Sequence, residues 1–359
     1  MSFNNSVIST QETTEKPKNI NVKYDFCKGK YMQDYINQHC PQFNDQFELL
    51  DYVNRGSTGY VYEIRNKLGN NRKYAVKFCI KKNREEKEDK NKYQEISIQK
   101  KLHHKNVNQI LAFIKMKEGS YFSISENGKH GDMINFLYKL LKKNTLSETC
   151  LLYFAKQILD SLEYLNRCKI VHMDVKPSNI LLDSELNPKI IDFSASCSFA
   201  DFSPEDVVKF PFIGTGKFIA PEIIKKTHIK IKYAEKIDIY SLGVTLYYLF
   251  FGIYPYNLNN IDNHDYTSIS KQIEKENLEF PKEYNASNIL KDFLTKLLEK
   301  DYMKRLTIKE ALKHPWIQGW QILEDEKLNI SCLESFLINM VTDNIYKFNR
   351  FQKNQTNIF

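Results

Sequence analysis

The hydrophobic period of this chain changes once, near residue 128, and few folds accommodate such a change. From Phe47 to Glu126 apolar residues recur in short runs separated by turn residues, which is the pattern of strands. FELLDYV and YVYEIRN flank a glycine-containing turn and read as a hairpin. KYAVKFCI is a further strand, and NQILAFIKMKEGSYFSIS reads as two strands around KEGS. One helix, YQEISIQKKL, interrupts them, carrying Ile96, Ile98 and Leu102. The run KKNREEKEDKNK ahead of it reads as a solvated loop. Beyond Gly128 the spacing becomes helical. TLSETCLLYFAKQILDSLEYLNRC opens on a Ser/Glu start signal at Ser147 and repeats apolar residues through Leu151, Phe154, Ile158, Leu162 and Leu165. Further helices are expected over 235–251, 266–277, 286–299 and 307–313. A β-rich lobe followed by an α-rich lobe predicts an α+β chain with a cleft between the two.

The flanks and the composition narrow the function classes. Residues 1–22 read as a disordered tail, and 24–40 as a short helix with Tyr31, Tyr35 and Ile36 near one face, ended by Pro41. A hydrophobic content of 42%, with 22 Tyr and 23 Phe, excludes global disorder. The longest apolar stretch, Val244 to Phe251, is far short of the ~20 residues of a membrane span, so no membrane partner is expected. The first residues lack a secretory core, and Gly is absent at position 2, which speaks against myristoylation. Seven scattered cysteines without a CxxC pair suggest a reducing intracellular compartment, cytoplasm or nucleus, rather than disulfides or a zinc site. The net charge of +8 arises in residues 47–130, which hold 18 basic and 10 acidic groups. A solvated face is the first reading of that excess; an acidic partner or nucleic acid is the second, and no nucleic acid is expected.

Four motifs carry chemistry. VNRGSTGYV, residues 53–61, lies between two strands, where glycines let backbone N–H groups approach phosphates. Gly56, Gly59 and Val61 fit G-x-G-x-x-G-x-V, while Asn54 stands at the first glycine; an ordinary hairpin turn is the alternative. Next comes Ala75-Val76-Lys77. A lysine there can neutralise phosphate charge, although alone it reads as a surface lysine. Glu95, 18 residues on, could hold it as an ion pair. The third motif is His172-Met-Asp174-Val-Lys176-Pro-Ser-Asn179, a polar loop between two apolar runs. It supplies a proton acceptor, a cation and a metal-binding amide. Finally, Asp192 follows the short apolar strand KII and can hold magnesium that bridges phosphates.

In order and spacing these residues resemble the eukaryotic protein kinase family. Gly214-Thr215 and Ala220-Pro221-Glu222 resemble the end of its activation segment, Asp238 its buried helix aspartate, and Arg305 the arginine that pairs with Glu222. The resemblance spans 47–317 and implies a two-lobed fold, with a small β-rich lobe over 47–126, a larger helical lobe over 127–317 and an ATP cleft between them. It implies ATP and Mg as cofactors and protein substrates as partners. Lys77 would pair with the ATP phosphates and with Glu95. Asn179 and Asp192 would hold magnesium. Asp174 would accept the substrate proton, and Lys176 would stabilise the transferring phosphoryl group. Glu126 and Gly128 would present backbone groups to adenine, Asp132 would bond the ribose, and Ala75 would line the same nucleotide site. Thr215 would bridge Lys176 and Asp174.

The chain departs from the family at four places. Met173 replaces an arginine that would meet a phosphorylated activation segment, so activity without such phosphorylation is expected, although Ser196, Ser198, Ser203 and Thr215 are candidate acceptors. Ser194 replaces a glycine, which predicts a smaller tendency of the Asp192 segment to flip. Asn54 replaces the first loop glycine; asparagine tolerates left-handed backbone better than most residues, and weaker ATP binding at most is expected. Ser125 stands at the gatekeeper position and predicts a back pocket open to bulky adenine-site inhibitors.

Within the family, HxDxKPxN, GTGKFIAPE and the phrase LLEKDYMKRLTIKEALKHPWI resemble serine/threonine enzymes of the calcium/calmodulin-dependent group. Ser178 and Tyr248 stand where substrate-reading glutamates often do, so a strong arginine preference is not expected. Residues 318–359 form a C-terminal extension, helical at 331–350, with an apolar stripe of Leu333, Phe336, Leu337, Met340 and Val341. A helix packed on the large lobe is the first reading of that stripe. An autoinhibitory or calmodulin-binding segment is the second; calmodulin is disfavoured because the tail carries 4 basic and 5 acidic residues. A monomer is expected. Two alternatives to an active serine/threonine kinase stand open, a pseudokinase scaffold and a dual-specificity enzyme.

Overall fold

The computed structural model describes residues 29–56, 59–68, 71–80, 93–116, 119–140 and 145–319, without the side chains of 139 and 140. The expected tail at 1–22, the charged loop at 81–92 and the expected helix at 331–350 lie outside the described residues. The chain divides into two compact units. Residues up to 101 with 109–127 make the first, and 102–108 with 128 onward make the second.

The first unit is built on five antiparallel strands, β1 Phe47–Arg55, β2 Tyr60–Asn66, β3 Lys73–Cys79, β4 Ile110–Lys115 and β5 Tyr121–Glu126, in the order β1-β2-β3-β5-β4. Strand side chains alternate between faces, and this sheet uses both. Tyr62, Ile64, Val76, Phe78, Phe122 and Ile124 point to one face and pack with Phe43 and Phe47. The Gly29–His39 helix covers that face through Met32, Tyr35 and Ile36. The predicted stripe is thus right at Tyr35 and Ile36, but Met32 rather than Tyr31 completes it. The other face carries Cys79 and Tyr121, which pack with Ile96 of the Gln94–Gln99 helix. Lys77 lies between Ala75 and Cys79 on this second face, so the period of two decides which helix it meets.

The second unit is helical, and the expected helices are present. Glu148–Arg167, Glu235–Phe251, Tyr266–Lys275, Asn288–Leu297 and Ile308–Leu312 match the sequence periods, with ends within two or three residues. Local chemistry sets several starts. Ser147 accepts from Cys150 N, Ser287 from Leu290 N, and Thr307 makes a reciprocal capping box with Glu310. The Glu235–Phe251 helix is buried nearly all round and ends at Gly252, whose φ of 70° is the left-handed stop that glycine adopts freely. The Val244–Phe251 stretch is therefore a core helix. Among the described residues no helix is long and apolar enough to cross a membrane.

Short ladders frame two loops of this unit. Ile170–Val171 pairs with Cys197–Ser198, and Ile180–Leu182 pairs with Pro188–Ile190. Residues 172–179 and 191–196 are thereby suspended between paired strand ends. The segment 102–108 binds the same frame, with Asn108 N donating to Ile190 O and Ile190 N to Asn106 O. Buried Asn106 adds Nδ2 bonds to Gln157 Oε1 at 2.9 Å and Pro188 O at 2.8 Å. Met133–Asn135, continued by the wider turn Phe136–Leu140, and the short helices Pro221–Ile224 and Pro315–Gln318 had no clear period to announce them.

Candidate active site

The loop after Val171 is anchored from below. Asp238, on the buried helix, accepts the backbone N–H of His172 at 2.7 Å and of Met173 at 2.8 Å. Burial pushes the Asp238 carboxyl above the ordinary aspartate range, against the opposing pull of His172 and the two amides. His172 receives Asp174 N–H on Nδ1 at 3.3 Å, so its proton sits on Nε2 and is directed to Ile191 O at 3.0 Å. One imidazole thus ties the 172–179 loop to the segment that holds Asp192.

The anchoring matters because the loop is bent. Met173 has φ 66° and is 3% exposed. A left-handed methionine costs roughly 1–3 kcal/mol, and persists only where its surroundings impose it. Both amides bound by Asp238 lie at this bend. Gly214 fits beside it, because a Cβ there would come within 2.8 Å of Met173 O.

Asp174 is the meeting point of the loop. Its Oδ2 accepts from Lys176 Nζ at 2.7 Å and from Asn179 Nδ2 at 2.9 Å, and its Oδ1 accepts from Thr215 N at 2.9 Å. Asn179 Nδ2 also bonds Asp174 O at 2.9 Å. Lys176 Nζ in turn donates to Thr215 Oγ1. The carboxylate is therefore held by three donors, two from its own loop and one from Thr215.

Asn179 and Asp192 fit a magnesium ion by their donor chemistry. Asn179 spends its amide nitrogen on Asp174, which leaves Oδ1 as a hard oxygen ligand. Asp192, at φ 60°, adds a carboxylate whose Oδ1 receives Ser194 N at 3.4 Å. Among the described residues no group of three or more His, Cys, Asp or Glu side chains gathers in metal-binding geometry. Magnesium suits such a sparse set, since it commonly takes one or two protein oxygens and completes its shell with water and phosphate.

In the first unit, Lys77 Nζ meets Glu95 Oε1 at 2.7 Å, with both side chains largely shielded from solvent. The sheet register places Val61 opposite Lys77 and Ser125 opposite Ala75. Directly opposed residues share a face, so Val61, Ala75, Lys77 and Ser125 line one patch. Glu126 ends β5. Within the second unit, Gly128 packs so closely on Leu181 that a Cβ would meet its side chain at 3.0 Å.

The family model described as "Protein kinase domain" matches residues 47–317. The chain belongs to the protein kinase family. Its sheet unit and its helical unit are the two lobes of that α+β fold. Calcium-dependent protein kinase 4 of Plasmodium falciparum is 30% identical over 305 residues, covering 83% of this chain and 54% of that protein. Its namesake in Plasmodium berghei is 30% identical over 338 residues, covering 92% and 60%. Myosin light chain kinase A of Dictyostelium discoideum is 31% identical over 280 residues, covering 76% and 88%. The chain thus spans little more than half the length of the two calcium-dependent relatives, and nearly all of the third. These likenesses agree with the calcium/calmodulin-dependent group.

Against the family pattern, one residue departs from its local backbone preference. Asn54 does not use left-handed backbone. It sits in the β1–β2 ladder opposite Val61, and its Oδ1 accepts from the adjacent Arg55 N at 2.7 Å. At the end of the KII strand the left-handed residue is Asp192, and Ser194 lies inside a short 3-10 turn. Phe193 of that turn is buried edge-on to His172, with ring centroids 5.0 Å apart. Gly59 owes its identity to packing: a Cβ would sit 2.3 Å from Phe78 O. A Cβ at Gly56 would lie 3.7 Å from Lys77 Cε, so only Gly59 is sterically required.

Asp132 is placed differently from a free ribose acid. It caps the helix that follows, with Oδ1 accepting Asn135 N at 2.8 Å and Oδ2 accepting Asn135 Nδ2 at 2.7 Å. Its remaining lone pairs are what it has to offer a hydroxyl. The residue that sequence reading missed is Lys217, which appears there only inside GTGKFIAPE. Lysine is among the least buried residue types, so nothing local announces its burial.

Proposed function

We propose that this chain is an ATP-dependent protein serine/threonine kinase. The observation that carries the reading is the Asp174 carboxylate held by Lys176, Asn179 and the Thr215 amide at once. In this role Asp174 orients the substrate hydroxyl and takes its proton as the phosphoryl group leaves ATP. Lys176, already paired with Asp174, would stabilise the charge that develops on the transferring group. Lys77, steadied by Glu95, would neutralise the nucleotide phosphates, and Val61, Ala75 and Ser125 would line the adenine side with Glu126 and Gly128. Magnesium bound with ATP would neutralise phosphate charge, held by Asn179 and Asp192. HxDxKPxN with Lys176, and Thr215 in contact with that lysine, resemble the serine/threonine members of the family, which supports serine and threonine over tyrosine as acceptors.

The deciding experiment is transfer from ATP·Mg to several generic protein substrates by the purified full chain, with phosphoamino-acid analysis of the product. Phosphoserine and phosphothreonine are expected. Tight nucleotide binding with no transfer to any substrate would identify a scaffold instead.

Activation by phosphorylation is not expected to be needed. Met173 offers a phosphate no cation, and the segment 203–213 is already tied down, mainly to residues 228–232. Glu205 pairs with Lys230 at 2.9 Å and Lys232 at 2.7 Å. Ser203 N donates to Asp206 Oδ2 at 2.8 Å, and Val207–Lys209 pairs with His228–Lys230. Ser196 is buried, with Oγ donating to His172 O at 3.2 Å, which leaves Ser198 and Ser203 as exposed acceptors. The Ser198→Ala/Ser203→Ala double variant should transfer phosphate within about threefold of wild type, a change under ~1 kcal/mol. A drop beyond tenfold would show that these hydroxyls are control points.

A further inference from the structure

Lys217 is 7% exposed, yet among the described residues no carboxylate comes within ion-pair distance of it. Its ammonium donates to Asn259 O at 3.2 Å and lies 4.6 Å from the centre of the Tyr254 ring. Asp262 raises its pKa from a distance, but burial prevails and holds it below the ordinary lysine value. Asp262 itself is turned to His264, accepting its backbone N–H at 2.7 Å and meeting Nδ1 at 3.1 Å. An ammonium has three donors, and a buried charge is stable only when it is paired. A carbonyl and an aromatic face meet part of that need and leave out the counterion.

The location gives the missing anion a source. Lys217 lies in the Gly216–Phe218 turn, two residues after Thr215, whose amide holds Asp174. Gly216 is pressed against the 259–266 loop so tightly that a Cβ would overlap Asn263 O. The turn, and the lysine on it, are therefore fixed relative to the catalytic carboxylate. From Lys217 a line of contacts leads outward: Tyr254 packs on Tyr248 at 4.8 Å, and the Tyr248 hydroxyl is 3.5 Å from that of exposed Tyr138. All of these offer O–H or N–H donors, and none offers a carboxylate.

We propose that Lys217, with Tyr254 and Tyr248 beside it, is a specificity site for an anionic side chain of the protein substrate, close in sequence to the phosphorylated Ser or Thr. The inference rests on the kinase reading and adds to it the charge class of the substrate. A carboxylate and a phosphate share the required chemistry: each would bring the counterion that the buried ammonium lacks. A basic substrate side chain would meet a like charge there instead.

The test uses the full chain with ATP·Mg and a peptide set. Each position within four residues of the acceptor is in turn Glu, phosphoserine, Gln or Arg. Wild type should favour Glu over Gln at one position by about tenfold in kcat/KM, mainly through KM, the size of one charge-assisted hydrogen bond. Lys217→Gln should bring that ratio near one, and Lys217→Arg should keep most of it. Because each enzyme is compared with itself, partial unfolding or general loss of activity cancels from the ratio. Phosphoserine exceeding Glu would assign a phosphate as the occupant; parity would assign a carboxylate. Equal use of Glu and Gln by wild type, an unchanged ratio in Lys217→Gln, or a preference for Arg at that position would overturn the proposal. Transfer to no peptide would overturn the kinase reading, and this site with it.

Discussion

Asp174→Asn should lower phosphate transfer by about 10²–10⁴-fold, the usual contribution of a positioned acid–base group. The reason is visible in the hydrogen bonds that converge on the side chain. Three donors point at the carboxylate: Lys176 Nζ, Asn179 Nδ2 and Thr215 N. An asparagine has one acceptor oxygen. Turned toward Lys176 and Asn179, it presents its NH2 to the Thr215 amide, donor against donor. That mismatch costs about 1–3 kcal/mol, since one shielded donor is left unmade. The melting temperature should therefore fall by several degrees while the fold survives. Transfer suffers far more, because an amide cannot accept the proton of the substrate hydroxyl. Nucleotide binding, measured by titration on the same preparation, should change less than threefold. Retention of more than a tenth of wild-type transfer would remove Asp174 from the role of base.

The ease with which this loop is read from sequence has a physical cause. His172, Asp174, Lys176 and Asn179 are neighbours along the chain, so a single bent loop fixes their relation, and their types alone restrict the chemistry. The period-two strands were legible for a similar reason. Alternation in KYAVKFC sends Val76 and Phe78 to one face and Lys77 to the other, where Glu95 waits on the next helix. What the sequence hides is what depends on distant partners. Nothing near Met173 announces a left-handed residue; Asp238, 65 positions on, imposes it. Nothing local marks Asp192 as the residue of that segment with left-handed backbone. At Asn54 a strand register overrides the local preference for left-handed backbone. Lys217 is the extreme case. Its burial comes from the 259–266 loop and from Tyr254, residues whose proximity no local pattern encodes.

Distance along the chain also separates the partners in the second large effect expected. Arg305→Met should destabilise the helical unit by about 3–5 kcal/mol, the cost of leaving a buried charge without its partner. Arg305 is 0% and Glu222 3% exposed, and they meet as a fork, Nη1 to Oε1 at 2.6 Å and Nη2 to Oε2 at 2.9 Å. Arg305 further donates to Lys236 O at 2.7 Å and Glu299 O at 2.9 Å, with its guanidinium 4.9 Å from the centre of the Tyr240 ring. Nearly every donor it has is used, so removal orphans two carbonyls as well as a carboxylate. For a domain of this size the loss corresponds to a melting temperature lower by roughly 10 °C. The double variant Arg305→Met/Glu222→Leu removes both charges and should be more stable than either single change, although the two carbonyls stay unpaired. A single-variant loss under about 1 kcal/mol, or strictly additive losses in the double variant, would contradict this account. The pair also bears on transfer. Glu222 closes the stretch that begins at Gly214 and Thr215, and Thr215 is what holds Asp174 Oδ1. Below its melting temperature, Arg305→Met should therefore turn over more slowly per folded molecule than wild type. The double variant, with the Pro221–Ile224 helix again packed, should recover part of that rate.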